Sequence, residues 1–205
     1  MSENLLDLPI ALERIEQLFR SELKPLLGAE GLQWVHLRML DYLARANRYS
    51  NTPLAVAEYL NLTKGTVSQS LILLEEKGLV RRSDDAADRR IVRLTLTEAG
   101  EKVVAQTARR IMEFIGACAA HQTLEKSLLD FLRCLQMKAG GRSFGLCAEC
   151  AHHLPVAPGA WRCGLTGEAL TEADRSKICR DFLAPGVENV TSDASRAQQE
   201  ASLVQ

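Results

Sequence analysis

The stretch that decides the fold lies at residues 63–100 and reads TKGTVSQSLILLEEKGLVRRSDDAADRRIVRLTLTEAG. Thr63 can cap a helix because its side-chain oxygen can accept from the free amides of the first turn, and Gly78 ends that helix just after Lys77. Apolar residues recur along it at spacings of three and four, whereas its first turn is small and polar on the opposite face. The sequence therefore predicts an amphipathic helix with a polar face suited to lying in a groove.

The neighbouring segments complete a motif around this helix. A short helix is predicted at 53–59, where Pro53 suits the first helical position. After the main helix, apolar and polar residues alternate over 79–82 and 90–96, the period of half-buried strands, with a polar tip between them. Two short helices joined by a turn form a helix-turn-helix, and the two strands add a β-hairpin.

Longer amphipathic helices flank this motif on both sides. They are predicted at about 5–24, 32–43, 97–118 and 123–138. Pro25 and Gly28 are expected to end the first of them. The flanking helices carry more apolar surface than a small helix-turn-helix can cover, which favours pairing between two copies of the chain. A single monomeric core is the alternative.

Composition sets broad limits on the class of protein. The chain has 205 residues, a net charge of −1, 46% hydrophobic and 25% charged residues. These fractions are ordinary for a globular protein, and no apolar run approaches the ~20 residues that span a bilayer. Residues 1–8 are acidic and lack the pattern of a secretory signal. We therefore expect a soluble cytoplasmic protein with no membrane partner.

The charge of the motif points weakly to nucleic acid. Residues 61–93 contain seven basic and five acidic residues in a chain that is acidic overall. A helix in the major groove needs small or polar residues at its N-terminal end and phosphate contacts from flanking elements. A solvated hairpin without any ligand is the simpler interpretation of the arginines.

The residues from Thr66 to Gly100 resemble the MarR family of winged-helix regulators. The resemblance rests on LEEKGLV at the end of the main helix, DRR at Asp88–Arg90, and LTLTEAG at Leu94–Gly100, all in family order. It extends over roughly 5–137. It implies a mainly α fold with a small β-hairpin wing, a winged helix-turn-helix with long dimerisation helices.

The resemblance also implies a function and a set of contact residues. The family's members are non-enzymatic transcription regulators, so we expect a homodimer that binds a palindromic operator in double-stranded DNA, as a repressor. Gln69 stands where many relatives carry arginine, which is either a preference for adenine or a solvated residue without base contact. Arg89 would enter the minor groove, with Asp88 and Arg90 supporting the wing. The DNA-binding candidates are Thr63, Lys64, Thr66, Ser68, Gln69, Arg89 and Arg90.

Four cysteines mark a second candidate site. They are Cys147, Cys150, Cys163 and Cys179. In a reducing compartment such a cluster favours metal binding, and the surrounding segment has too few aliphatic residues to fold on hydrophobic burial alone. Zinc takes four thiolates but usually between two Cys-x2-Cys pairs, and an iron–sulfur cluster accepts one close pair and two single cysteines. Either centre fits the spacing, and a thiol switch without metal is a third possibility.

The remaining histidines and cysteines of this half are assigned more simply. His152 or His153 could replace one thiolate, but adjacent histidines cannot easily both face one ion, and a surface position is the alternative. Cys118 and Cys134 lie on or beside apolar helical faces and are expected to be small core residues.

The expected organisation has three parts. Residues 1–139 form the winged helix-turn-helix and dimerisation domain, 143–182 a small irregular Cys-rich metal-binding module after Gly140 and Gly141, and 183–205 a disordered tail. Because this module directly follows the last dimerisation helix, loss of the metal centre is expected to loosen the module and, through that helix, to change the separation of the recognition helices. Two alternatives stay open: a small-molecule effector bound between the dimer helices and the DNA-binding lobe with a purely structural zinc site, and a thiol redox enzyme built on Cys147 and Cys150.

Overall fold

The computed structural model describes residues 7–86, 88–116, 118, 121–138 and 144–186. The helices are α1 (Asp7–Ala29), α2 (Trp34–Arg45), α3 (Pro53–Leu60), α4 (Lys64–Glu76), α5 (Glu98–Gly116), α6 (His121–Lys138) and the single turn α7 (Glu172–Arg175). The strands are β1 (Val80–Asp84), β2 (Val92–Leu96), β3 (Gly145–Leu146), β4 (His153–Ala157), β5 (Ala160–Cys163), β6 (Ala169–Leu170) and β7 (Ile178–Cys179). Within these ranges no helix has the length and apolar character needed to cross a bilayer.

The helix-turn-helix forms where the sequence predicts it, and its ends have identifiable caps. The side chain of Thr52 accepts from the Ala55 amide at the start of α3, with Pro53 in the first position. Asn61 ends α3 in the left-handed conformation, with φ 51°. Thr63 then caps α4 by accepting from the Thr66 amide at 3.2 Å. These polar caps satisfy amides that a helix cannot pair internally, and they fix where each helix begins.

The hydrophobic core lies between α2, α3, α4 and the β1–β2 hairpin. The largest fully buried side chains include Leu37, Met39, Leu40, Tyr42, Val56, Val67, Leu71, Leu74 and Leu94. Tyr42 keeps its hydroxyl satisfied by donating to the Ser50 carbonyl at 2.8 Å, and its ring packs against Tyr59. The apolar face of α4 is thus held in the core, which leaves its polar face outside.

The predicted hairpin is an antiparallel pair whose register runs from Val80 opposite Leu96 to Asp84 opposite Val92. The base of its loop is held by an ion pair between Arg93 Nε and Asp85 Oδ2, 2.6 Å apart, with both side chains 18% exposed. This hairpin is the wing (residues 80–96), and its base is partly buried.

The prediction that Pro25 and Gly28 end the first helix is wrong. Helix α1 continues through both residues to Ala29. Leu23 and Leu27, on either side of the proline in sequence, are 2% and 5% exposed in the core. Burial of these two side chains compensates for the backbone hydrogen bond that proline cannot make, so tertiary packing overrides the local signal.

Helices α5 and α6 extend away from the helix-turn-helix. Helix α5 packs against α1, where the rings of Phe19 and Phe114 meet edge to face at 6.4 Å. Helix α6 keeps a row of apolar side chains exposed at spacings of three or four. They are Leu124, Leu128, Phe131, Leu132 and Leu135. Cys118 and Cys134 are exposed too, so the prediction that both are core residues is wrong for the single chain.

The Cys-rich module is more regular than the sequence predicts. It contains a pair, β3–β7, and a three-stranded antiparallel sheet, β4–β5–β6. Strands of two to five residues are too short to show a clear alternation of apolar and polar residues. The turn residues between them are therefore the main signal in this part of the sequence. Leu183 and Ala184 are buried, so the ordered module runs past residue 182. Predictions for Leu5, for the Gly140–Gly141 boundary and for residues 187–205 lie outside the described residues.

The module packs directly on the segment between α2 and α3. Ile178 joins the main hydrophobic core and its carbonyl accepts from the Asn47 amide at 2.9 Å. Lys177 Nζ donates to the Ala44 carbonyl at 2.7 Å. The two regions distinguished in the sequence therefore share an interface and one buried core residue.

Candidate nucleic-acid interface and cysteine site

The polar face of α4 is fully presented on the surface. Lys64, Thr66, Ser68 and Gln69 are all exposed, as is the capping Thr63. Thr63 and Thr66 bond each other through their hydroxyls at 2.9 Å, so part of their hydrogen-bonding capacity is used within the cap. Lys64, Ser68 and Gln69 keep their polar atoms available at the N-terminal half of the helix. A helix end that presents small polar side chains, one lysine and unpaired backbone amides suits a phosphate-lined groove.

In the DRR motif, Asp88 and Arg90 pair with each other, whereas Arg89 is exposed on the surface. Arg90 forms a forked pair with Asp88, at 2.7 Å from Nη2 and 2.9 Å from Nε, and this pairing lowers the pKa of the Asp88 carboxyl. The guanidinium of Arg89 is exposed and meets no acceptor among the described residues. The geometry agrees with a supporting role for Asp88 and Arg90, and it leaves Arg89 able to reach a ligand beyond the wing.

The structure brings all four candidate cysteines to one cavity of about 70 Å³. Its wall also includes His152 and His153 from the module, and Asn47 and Tyr49 from the segment between α2 and α3. No three His, Cys, Asp or Glu side chains in the described ranges are arranged as ligands of a single metal ion. The four thiols line the same cavity, but they do not converge on a single position that one metal ion could occupy.

Backbone amides point at the sulfur atoms. Cys150 Sγ accepts from the amides of His152 at 3.5 Å and Leu183 at 3.4 Å. Burial raises the pKa of Cys147 to about 11, helped by the nearby thiols of the other three cysteines. Burial also raises the pKa of Cys179, against hydrogen bonds from the Asn47 side chain and the Asp181 backbone that lower it. Burial therefore disfavours the thiolate forms of Cys147 and Cys179, which are the forms that a metal binds.

The two histidines differ in their surroundings. The ring of His153 lies tilted against Trp161, with ring centroids 5.9 Å apart, and its Nε2 is buried without a hydrogen-bond partner among the described residues. His152 is half-buried and contributes its backbone amide to Cys150. Both histidines line the cavity, and neither occupies the simple surface position that the sequence favours.

No local pattern in the sequence indicates that Asn47 and Tyr49 belong to the cysteine site. They lie in a short polar turn, Asn47–Thr52, whose composition is that of an ordinary connection. Arg48 pairs with Glu168 of the module at 2.9 Å, and the Tyr49 hydroxyl donates to the same carboxylate. More than 110 residues separate these partners in the chain, a distance over which no local pattern carries information.

Sequence comparison finds a family that the helix-turn-helix region resembles. Residues 30–91, which include α2, α3, α4 and the first wing strand, match the sequence model of the MarR family. This region of the chain is similar to MarR-family regulators. The match covers the exposed face of α4 and Arg89 but ends before the second wing strand and well before the first cysteine of the module.

Two regulators and one solved structure are similar to the MarR-like part of the chain. The uncharacterized HTH-type transcriptional regulator YhbI of Bacillus subtilis is 33% identical over 100 residues, which are 47% of this chain and 64% of YhbI. The transcriptional regulator HosA of Escherichia coli is 47% identical over 51 residues, 25% of this chain and 38% of HosA. The chain thus spans less than two thirds of either relative.

The solved structure supports the fold. CouR from Rhodococcus jostii RHA1, crystallised with p-coumaroyl-CoA, superposes with a TM-score of 0.52 at 22% identity, covering 63% of this chain and 91% of CouR. The mainly helical winged helix-turn-helix fold predicted from the sequence is confirmed.

Proposed function

We propose that the protein is a sequence-specific DNA-binding transcription regulator, a homodimeric repressor whose DNA binding depends on a metal centre at the four cysteines. The observation that carries the DNA-binding part is the exposed N-terminal half of α4, with Lys64 and Gln69 outward, beside a wing that presents Arg89. The similarity of this region to the MarR family supports the same conclusion. Gln69 is assigned to base reading, because a glutamine amide matches the N6 and N7 edge of adenine, and Lys64 to phosphate.

The DNA-binding proposal is tested by selection from a random pool of duplexes. We expect enrichment of an inverted repeat whose half-sites lie about 10 base pairs or a multiple apart, because two recognition helices related by a twofold axis read successive turns of one face. Glu75, at the far end of α4, supplies a control: Glu75→Gln is expected to select the same repeat, whereas Gln69→Ala relaxes it at one position. Failure to enrich any motif would contradict the proposal.

The homodimer is supported by the exposed apolar row of α6. Leu128 and Leu132 are 38% and 49% exposed in the single chain, one helical turn apart, and a second copy of the chain would cover them. The double variant Leu128→Glu, Leu132→Glu is expected to sediment as a monomer. Leu146→Glu, at an equally exposed leucine in the module, is the matched control and is expected to remain dimeric. A monomeric wild-type protein at micromolar concentration would contradict the dimer.

The metal centre is supported by the shared cavity and by the amides aimed at Cys150. Zinc and an iron–sulfur cluster both fit four thiolates, and metal analysis with an absorption spectrum of anaerobically purified protein separates them. Iron with sulfide and a broad absorbance near ~400 nm identifies a cluster, whereas a colourless protein with about one zinc per chain identifies zinc. Anaerobically purified protein that contains neither iron nor zinc would contradict the metal centre.

A second candidate function, release of DNA by a small molecule, is favoured by a separate cleft. This cleft has a volume of about 640 Å³ between α1, α2 and α5, and its lining includes Phe19, Trp34 and Arg38. An apolar cleft with a few charged groups suits a small aromatic or carboxylate ligand. DNA affinity that is equal with and without the metal, but reduced by such a ligand, would select this function over metal-dependent regulation.

A further inference from the structure

The α2–α3 turn, defined here as residues 46–51, forms part of the wall of the cysteine site. Asn47 lines the cavity with the four cysteines, and its side chain hydrogen-bonds Cys179. Its backbone amide donates to the Ile178 carbonyl at 2.9 Å, and Ala46 forms an isolated bridge with Ile178. Cys179, a candidate metal ligand, is thus attached to the start of this turn in two ways. Its own side chain contacts Asn47, and the preceding residue, Ile178, contacts Asn47 and Ala46.

Ser50 is the second attachment point and is completely buried. Its hydroxyl accepts from the backbone amide of Arg180 at 2.8 Å, and its carbonyl accepts from Tyr42 in α2. The guanidinium of Arg180 also pairs with Glu58 of α3, at 2.5 Å from Nε and 2.9 Å from Nη2. The residue that follows Cys179 therefore holds both the turn and the first helix of the helix-turn-helix.

The last residue of the same turn holds the wing. The Asn51 carbonyl accepts from the Leu94 amide at 2.8 Å, and its side-chain oxygen accepts from Arg93 at 3.3 Å. Arg93 in turn pairs with Asp85 at the base of the wing loop. Ser50 and Asn51 are adjacent, so a displacement of the turn by the module moves an anchor of the wing with it.

We propose that the α2–α3 turn, through Asn47, Ser50 and Asn51, couples the state of the cysteine site to the position of the wing. This inference rests on the proposed metal-dependent function and names the route by which the centre acts. A bound centre fixes Cys179, and the segment 178–180 then holds the turn and the wing in the arrangement that binds DNA. Loss of the centre releases that segment and lowers DNA affinity, because a chain of packed hydrogen bonds transmits the change.

This route differs from the one expected from the sequence, in which the module acts through the last helix. The contacts of α6 with the module include an exposed ion pair, Arg133 with Glu149 at 2.6 Å, and a part-buried bond from Gln136 to the Phe144 carbonyl at 2.9 Å. Phe144 precedes Gly145, which pairs with Cys179 between β3 and β7. The contacts of the segment 178–180, by contrast, reach the turn that holds the wing.

A double-mutant cycle on the full-length chain tests the route. The cysteine site is perturbed by Cys147→Ser, because Cys147 lies in the cavity but does not hold the turn. The ratio of DNA dissociation constants between Cys147→Ser and its parent measures coupling, and we expect a ratio on the order of 5 to 150 in the wild-type background. In the Ser50→Ala and Asn47→Asp backgrounds this ratio is expected to fall to within about twofold of one.

The background variants are chosen to separate coupling from folding. Asn47→Asp retains the oxygen that accepts from the Tyr49 amide at 3.1 Å, removes the donor to Cys179 and adds a negative charge to the cavity wall. It therefore keeps the turn intact if Ser50→Ala, at a buried site, fails to fold. Arg133→Ala is the matched control for the α6 route and is expected to keep the wild-type ratio.

Hydrogen exchange at the Leu94 amide provides a readout that does not depend on DNA. This amide donates to Asn51, and we expect its exchange to accelerate in Cys147→Ser but not in Arg133→Ala. The proposed route would be overturned if the ratio of dissociation constants stays at its wild-type value in the Asn47→Asp and Ser50→Ala backgrounds but falls to about one in the Arg133→Ala background. If Cys147→Ser leaves DNA affinity unchanged yet speeds Leu94 exchange, the coupling holds and metal-dependent regulation fails; if it changes neither, both fail.

Discussion

Replacing Asp85 by alanine is expected to lower the free energy of unfolding by about 2–4 kcal/mol and to weaken DNA binding. Asp85 accepts from Arg93 Nε at 2.6 Å and from the Asp88 amide at 3.1 Å, so the change removes both of these hydrogen bonds at the base of the wing. A bond between charged partners contributes about 1.5–3 kcal/mol and one to a neutral donor about 0.5–1.5 kcal/mol. With side chains 18% exposed, the pair is screened only in part by solvent, and the remaining guanidinium loses its counter-charge.

Urea denaturation followed by circular dichroism measures this loss, and fluorescence anisotropy with a selected duplex measures DNA binding. Asp85→Asn is the matched variant: it keeps one acceptor oxygen, so about half of the loss is expected. Asp88→Asn is the negative control for stability, because the side chain of its partner Arg90 is 89% exposed and solvent screens the pair, so the unfolding transition is expected to stay unchanged. If Asp85→Ala unfolds at the same urea concentration as the wild type, the buried wing base does not stabilise the fold as argued.

Three further changes test other parts of the structure. Gly100→Ala places a Cβ 2.2 Å from the Leu79 carbonyl oxygen, so thermal unfolding should show a loss of about 1–3 kcal/mol or more, whereas Gly28→Ala, with open space around the new Cβ, should be neutral. Lys64→Ala should reduce the slope of log affinity against log salt by about one, and an unchanged slope would rule out its phosphate contact. Gln69→Ala should weaken binding to the selected site by about 1–3 kcal/mol with no change on unrelated DNA; an equal loss on both would argue against base reading.

Local patterns in the sequence were enough to predict the helix-turn-helix and the wing. The caps at Thr52 and Thr63 and the positive φ of Gly78 are determined by residues within a few positions of each other. Helix α1 exceeded its prediction because a proline signal is local, whereas the burial of Leu23 and Leu27 depends on residues distant in sequence. The predicted core positions of Cys118 and Cys134 failed for a related reason, since an apolar face in sequence does not say what covers it.

The cysteines of the candidate site were predictable from the sequence, but their surroundings were not. The spacing of the four cysteines gave the cluster, and the structure places all of them around one cavity. The contacts of the α2–α3 turn with Cys179 and Arg180 join polar residues some 130 positions apart. Polar partners at that separation leave no periodicity or composition signal, so only the folded chain reveals that the module sits against the helix-turn-helix.

The most direct test of the central claim is the ratio of dissociation constants for a selected duplex and a scrambled duplex of equal length, measured with anaerobically purified protein at one fixed salt concentration. A sequence-specific regulator is expected to prefer the selected duplex by about a thousandfold or more. Substituting alanine at both Gln69 and Arg89 should remove most of that preference while leaving weak general binding. Equal affinity of the wild-type protein for both duplexes would contradict the assignment of α4 and the wing as a sequence-reading surface.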